Sequence, residues 1–198
     1  MDFLRLLAAG RCGALDTFFS GLTYFGSEIA FMAAALLIFW CVDKRQGYYV
    51  FLVGALGTVC NQFLKLAFRI PRPWVLDPDF QIVEAARADA TGYSSPSGHT
   101  QNIVGTSASI FASRKETWVR IVCVVLMLLV PFSRMYLGVH TPLDVGVAFL
   151  TALALAAALY PAFRTEFAAK KTVPALGISR AHPDAVPRPM PLRCRNAA

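Results

Sequence analysis

Five long apolar blocks, at residues 27–42, 47–68, 98–112, 117–132 and 142–160, are what any fold of this chain must first accommodate. Charges or prolines close the first three: Asp43-Lys44-Arg45, then Pro71 and Pro73, then Ser113-Arg114-Lys115-Glu116. The apolar residues fill each block rather than one helical stripe. About 20 apolar residues in helical form cross a hydrocarbon core. Inside lipid, a helix satisfies its own backbone polar groups, which an isolated strand cannot. The expectation is an all-α, polytopic transmembrane helical bundle with five clear spans. The third block is short for a crossing, and Ser95-Pro96 lengthens it. Composition agrees, with 16% charged residues against 56% hydrophobic, where a soluble domain carries about 25% charged.

Residues 2–24 read differently. Phe3, Leu4, Leu7, Leu15, Phe18, Phe19 and Leu22 can share one helical side, but Gly10, Gly13 and the charges Asp2, Arg5, Arg11 and Asp16 interrupt it. An N-terminal amphipathic, partly inserted segment is expected at 1–24, without the basic start and cleavage site of a signal peptide. The membrane core then covers 25–162. Residues 163–198 are basic, Pro-rich and without apolar period, and are expected to form a disordered cytoplasmic tail. Seven of the 19 Lys and Arg fall in this tail, so the net charge of +7 points to anionic membrane lipid and not to nucleic acid. The five Cys, at 12, 41, 60, 123 and 194, show no metal-ligand spacing.

Basic residues set the orientation. Lys44, Arg45, Arg114, Lys115, Arg120, Arg164, Lys170 and Lys171 fall on one side, Arg69, Arg72, Arg87 and Arg134 on the other. The first set marks the cytoplasm, which places the protein in the plasma (bacterial cytoplasmic) membrane with the polar loop 69–95 on the extracytoplasmic side. A loop of this length without structure of its own is usually functional or disordered.

Three clusters lie at the outward ends of the blocks. Lys65 precedes Arg72-Pro73 by seven residues, about two helical turns, so the two cations can share a face. Lys65 sits inside an apolar block, where a charge marks a functional site unless it snorkels to the interface. In Ser95-Pro96-Ser97-Gly98-His99, Ser95 is a good cap and Pro96 suits a first helical turn, so free N–H groups at 97–99 offer an anion site. The third cluster is Ser133-Arg134, His140 and Asp144. Asp144 can close a helix start with Thr141 as cap, or fix the tautomer of His140 four residues back; different oxygens can serve both. Glu28, at the outward end of the first block, suits pairing with a site cation, shaping an entry, or an ordinary helix start. His182 lies in the tail, away from all three.

This inventory suits a phosphate ester. Arg72 and Arg134 can fork phosphate oxygens, Lys65 adds a point charge, and backbone N–H groups cover another oxygen. One His can attack phosphorus while the other protonates the leaving oxygen. No cluster of carboxylates offers a divalent metal site, so metal-free chemistry with no cofactor is expected.

Lys65-x6-Arg72-Pro73, Pro96-Ser97-Gly98-His99 and Ser133-Arg134-x5-His140-x3-Asp144 resemble, in order and internal spacing, the three motifs of the type-2 phosphatidic acid phosphatase superfamily. That superfamily also holds vanadium haloperoxidases and bacterial glucose-6-phosphatase-like enzymes. The resemblance runs across residues 47–160. It implies that His140 is the nucleophile forming a phosphohistidine, that Asp144 orients it, and that His99 is the acid for the leaving group. It implies that Lys65, Arg72, Ser97, Gly98 and Arg134 hold the phosphate. Integral members commonly have six spans, against five here plus residues 2–24. The implied activity is hydrolysis of a lipid phosphate or lipid pyrophosphate, such as undecaprenyl pyrophosphate or a glycerophospholipid phosphate, at the outer leaflet. A phosphotransferase would use the same residues, and an anion channel or transporter is a further alternative. Haloperoxidases are soluble, which this chain is not.

Overall fold

The computed structural model describes residues 1–172, with side chains to Arg164; most of the expected disordered tail, with His182 and Cys194, lies outside the described residues. Every regular element among them is helical. Two N-terminal helices, α1 (Asp2–Ala9) and α2 (Gly13–Thr23), lead through a 3-10 turn, Tyr24–Gly26, into α3 (Glu28–Cys41). Next come α4 (Lys44–Phe68), the short α5 (Pro73–Leu76) and a second 3-10 turn, Glu84–Ala86. The order ends with α6 (Gly98–Ser113), α7 (Thr117–Tyr136) and α8 (Pro142–Thr172). The last helix continues past the boundary at 162 read from the sequence.

Local chemistry sets the ends. Ser27 caps α3 by accepting from the Ala30 N–H at 3.1 Å, and Asp43 caps α4 by accepting from Arg45 and Gln46. At its other end α4 stops on Arg69 in the left-handed region, φ 49°. The prolines at 71 and 73 then forbid continuation. Contrary to the sequence reading, Pro96 is not in the first turn of α6. Ser97 is the cap, its Oγ accepting from the Thr100 N–H, and the Ser95–Pro96 peptide before it is cis.

The central helix is α6, packed against α4, α7 and α8. It carries more polar side chains than its neighbours, with Thr100, Gln101, Asn102, Thr106, Ser107 and Ser109 all buried. A helix enclosed by other helices faces protein rather than lipid, so it need not be apolar all round. On α8 the stripe Ala148, Ala152 and Ala156 is buried and lets the backbones approach. Tyr49 Oη donates to the Ala156 carbonyl at 2.7 Å, tying α4 to α8. The large apolar side chains on the outside, among them Leu37, Trp40, Val59, Phe63, Trp118 and Leu150, are what a lipid-facing surface requires.

Among the described residues, three helical stretches are long and apolar enough to cross a membrane: Lys44–Leu76, Thr117–Tyr136 and Pro142–Arg164. A fourth arises if Gly13–Gly26 and Glu28–Cys41, bent by 52° at Ser27, count as one broken span. With 14 and 16 residues, α3 and α6 fall short of a full crossing on their own, so the structure supports fewer clear spans than the five expected. The N-terminal segment breaks at Gly10–Cys12 as its glycines suggested. Its apolar residues do not share one side: Leu4 and Phe19 are buried, whereas Phe3, Leu15 and Phe18 face outward.

Candidate active site

The C-terminal half of α4 meets the N-terminal ends of α3 and α6, the loop residues Ala88, Asp89 and Thr91, and His140 from the segment between α7 and α8, around a cavity of about 470 Å³. Of the residues singled out from the sequence, Lys65, Arg72, Gly98, His99 and His140 line it directly, and so does Glu28. Ser97, Arg134 and Asp144 stand behind the lining, each fully buried. The two cations of the first cluster meet by a route the spacing did not show. The helix ends between them, so Lys65 stays in the last turn of α4 while Arg72 caps α5.

Arg72 is held from every side. Its Nη2 donates to the Thr91 carbonyl at 2.7 Å, its Nε to Gly92 at 3.1 Å and its Nη1 to Val139 at 3.2 Å. The guanidinium also lies 5.7 Å from the Trp74 ring centre. The polar loop 69–95 thus supplies two of the three carbonyls that orient this cation, and Val139, just before His140, supplies the third. The same Nη1 reaches His140 Nε2 at 3.2 Å. A guanidinium has no acceptor, so Nε2 must offer its lone pair and the ring proton must sit on Nδ1. That nitrogen faces Asp144 Oδ2 at 3.7 Å, an ion-pair distance longer than a hydrogen bond. Burial first, and then Arg72 and Arg134, push the His140 pKa down to about 3 against the opposing pull of Asp144. The ring is neutral at physiological pH, with its Nε2 lone pair toward Arg72.

One oxygen of Asp144 does both jobs that the sequence reading divided between two. Oδ2 accepts from the Thr141 N–H at 2.8 Å and from the Ser94 hydroxyl, and it is also the oxygen nearest His140. Oδ1 is buried without a partner among the described residues. In return Thr141 Oγ1 accepts from the Asp144 N–H at 3.3 Å, closing the capping pair that starts α8. Ser97 is likewise structural at its backbone: its N–H donates to the Asp144 carbonyl at 3.2 Å, joining the starts of α6 and α8. Of the N–H groups at 97–99, that of Ser97 is therefore taken, and those of Gly98 and His99 are the ones the helix start leaves over.

Arg134 has no exposed surface. Its Nη1 donates to Thr23 Oγ1 at 2.9 Å, while Nε and Nη2 are buried without a partner. His99 Nε2 is in the same state. Unsatisfied buried donors are costly, and a buried cation more so. Beside Lys65 and Arg72, such a set concentrates positive charge and spare donors in one place, the chemistry that suits an anion. Among the described residues no group of three His, Cys, Asp or Glu side chains is placed to hold a metal ion.

Sequence reasoning missed Thr23, Ser94 and the carbonyls of Thr91 and Gly92. Thr23 carries no local signal, because its partner is 111 residues away. Two further contacts come from the same segment. Asn102 Nδ2 donates to the Gly26 carbonyl at 3.3 Å, and Gly26 lies so close that a Cβ there would sit 2.7 Å from the His99 carbonyl. Only glycine fits that approach.

Residues 46–168 match the PAP2 superfamily. The chain is 33% identical over 136 residues to undecaprenyl-diphosphatase BcrC of Bacillus subtilis (strain 168), covering 65% of this chain and 67% of that protein. It is 26% identical over 151 residues to an undecaprenyl-diphosphatase of Sulfolobus acidocaldarius, covering 76% and 71%. The crystal structure of Aquifex aeolicus LpxE superimposes with a TM-score of 0.71 at 26% identity, over 79% of this chain and 92% of that one.

Proposed function

The chain belongs to the PAP2 superfamily, and on that premise we propose that it removes the terminal phosphate of a lipid phosphate or lipid diphosphate, without a metal, at the outer leaflet. Its family, and relatives of that activity, make it a membrane-embedded hydrolase of lipid phosphates. One observation carries the finer reading: His140, neutral and with its Nε2 lone pair toward Arg72, stands among three cations beside the unpartnered Nε2 of His99.

In the proposed reaction the phosphate oxygens lie against Arg72, Arg134, Lys65 and the N–H groups of Gly98 and His99. His140 Nε2 attacks phosphorus, an N–P bond forms and the P–O bond to the lipid breaks. Protonated His99 gives its proton to the departing oxygen. Asp144 supports the imidazolium-like charge on His140 through Nδ1–H. A water then attacks the phosphohistidine, His99 takes its proton, and the N–P bond breaks to release inorganic phosphate. The undecaprenyl-diphosphatase relatives support a polyprenyl diphosphate as substrate, with a glycerophospholipid phosphate as the second candidate.

The membrane arrangement is part of the same proposal. Residues 25–162 form the core, α3 and α6 complete a five-span bundle with α4, α7 and α8, and residues 1–24 lie at the outer interface. The ends of the helices opposite the cavity carry Lys44, Arg45, Arg114 and Lys115, which supports a cytoplasmic placement for them. A Cys placed at Asp79 in a Cys-free background should react with an impermeant thiol reagent from outside, and one at Glu116 should not. The reverse pattern would overturn the outer-leaflet site. For the activity, purified protein should release inorganic phosphate from lipid phosphates in excess EDTA and be inhibited by vanadate. Release from no member of such a panel, or release restored only by magnesium, would refute the reading.

A further inference from the structure

The cavity continues past the two histidines. In α4, Asn61 lies one turn before Lys65, about 6 Å deeper along the axis, and Gln101 enters the same space from the first turn of α6. Both side chains are almost fully buried, at 4% and 2% exposure. Asn61 Nδ2 and Gln101 Nε2 have no hydrogen-bond partner among the described residues. Gln101 is aimed by its surroundings: Oε1 accepts from Thr151 Oγ1 at 2.8 Å, and Nε2 points at α4, where a Cβ on Gly57 would come within 2.5 Å of it. Thr58 and Asn102 complete this deeper floor. Five polar side chains at membrane depth, with two idle amide donors, are expensive unless they meet acceptors.

Depth decides which part of a substrate they meet. The terminal phosphate sits at the helix ends with Arg72 and His140. A lipid tail must run from there toward the hydrocarbon, and the cavity wall reaches the outer surface at Ile29, 82% exposed. The group contacted next is therefore the one bonded to the terminal phosphate, on its leaving side. In a monophosphate of a polyprenol that group is a methylene, which would bury both amides against carbon. In a diphosphate it is a second phosphoryl group with free acceptor oxygens.

Resting on the hydrolase reading above, we infer that Asn61 and Gln101 bind the second phosphoryl group of a lipid diphosphate, making lipid diphosphates the favoured substrate class. In that reaction the terminal P–O bond breaks at the bridging oxygen. The bridging oxygen leaves on the lipid monophosphate with the proton from His99, the terminal phosphoryl group passes to His140 and then to water, and the amides hold the departing phosphate. A site built to hydrogen-bond a group discriminates strongly against the analogue lacking it.

The test uses purified full-length protein with farnesyl diphosphate, farnesyl phosphate and a short-chain phosphatidic acid, comparing the wild type with Asn61→Leu and Gln101→Leu. The wild type should prefer the diphosphate. Each substitution should lower the ratio of kcat/KM for diphosphate over monophosphate by roughly 10-fold or more, as loss of a hydrogen bond to a charged group implies. A ratio unchanged while both activities fall would assign the amides to the hydrolytic water common to both reactions and overturn the inference. So would a wild type that prefers farnesyl phosphate or phosphatidic acid. If a variant fails to fold, inhibition of the wild type decides: inorganic pyrophosphate should compete at least about 10-fold more tightly than phosphate, and equal potency would contradict the subsite. Activity on none of the three lipids would instead refute the hydrolase reading itself.

Discussion

The wall of the cavity built by residues 65–144 and the wall built by residues 11–28 are held by different means. In the first, short-range caps set the helix starts that carry the two histidines and Asp144. Ser97 caps α6, Thr141 and Asp144 cap each other at the start of α8, and His140 precedes that cap by one residue. In the second, single long-range bonds do the placing. Thr23 holds the Arg134 guanidinium, Gly26 receives Asn102, and Arg11 donates twice to the Tyr136 carbonyl, at 2.8 and 3.0 Å. Phe19 packs with Tyr136, Leu137 and Val139 just ahead of His140. The first wall holds the reacting groups and the second fixes where they stand, so damage to the two should read out differently.

The largest loss is expected at the nucleophile. His140→Ala should lower kcat by at least about 10⁴-fold on every substrate, measured as phosphate release; a residual rate within about 10-fold of wild type would remove His140 from that role. Next, His99→Ala should cost roughly 10²–10⁴-fold on an alkyl phosphate, the usual worth of general acid catalysis. It should spare p-nitrophenyl phosphate, whose leaving group needs no proton. Equal loss on both substrates would deny His99 the acid role. Asp144→Asn should fall between, because the shape stays while the charge supporting His140 goes.

On the opposite wall the effects should be smaller and should appear in binding. Thr23→Val keeps the volume and deletes the hydroxyl that orients Arg134. A rise in KM and in the vanadate inhibition constant of roughly 3- to 10-fold is expected, the worth of one ordinary hydrogen bond. The value of kcat should stay within about twofold, and Thr23→Ser should restore binding. If Thr23→Val lost kcat as His140→Ala does, the division between the two walls would fail. The last effect falls on stability rather than on activity, and depends on pH. Buried His140 has its pKa lowered to about 3 in the fold, against about 6.5 when unfolded. The unfolded chain therefore binds the proton first, and this contribution, full above about pH 6.5, is lost as pH falls toward 3. Thermal unfolding in detergent at pH 7.5 and 5.0 should show a steeper loss for wild type than for His140→Asn.

The same division explains what could be read from the sequence. The helical blocks, the three clusters and the cap at Thr141–Asp144 are local patterns, visible as apolar runs, breakers and i to i+3 or i+4 spacing. The spacing of Lys65 and Arg72 predicts one shared helix face; both do line one cavity, but because the helix between them ends and the loop turns Arg72 back. Asn61 did carry a signal, a polar side chain one turn from Lys65 in an apolar helix. Thr23 and Arg11 carried none, because their meaning depends on partners more than 100 residues away. The polar composition of α6 concealed the fact that it is the centre of the bundle, where neighbouring helices rather than lipid satisfy it.

If this cavity transfers a lipid's terminal phosphate to His140, a covalent phosphoenzyme forms in every turnover and can be trapped. Purified protein is mixed with substrate labelled at its terminal phosphate, quenched within milliseconds and analysed for label bound to protein. The account predicts an acid-labile, alkali-stable phosphoenzyme in wild type, mapped to His140 and absent from His140→Ala. Hydrolysis in wild type with no label on the protein at any quench time, or label persisting in His140→Ala, would contradict it.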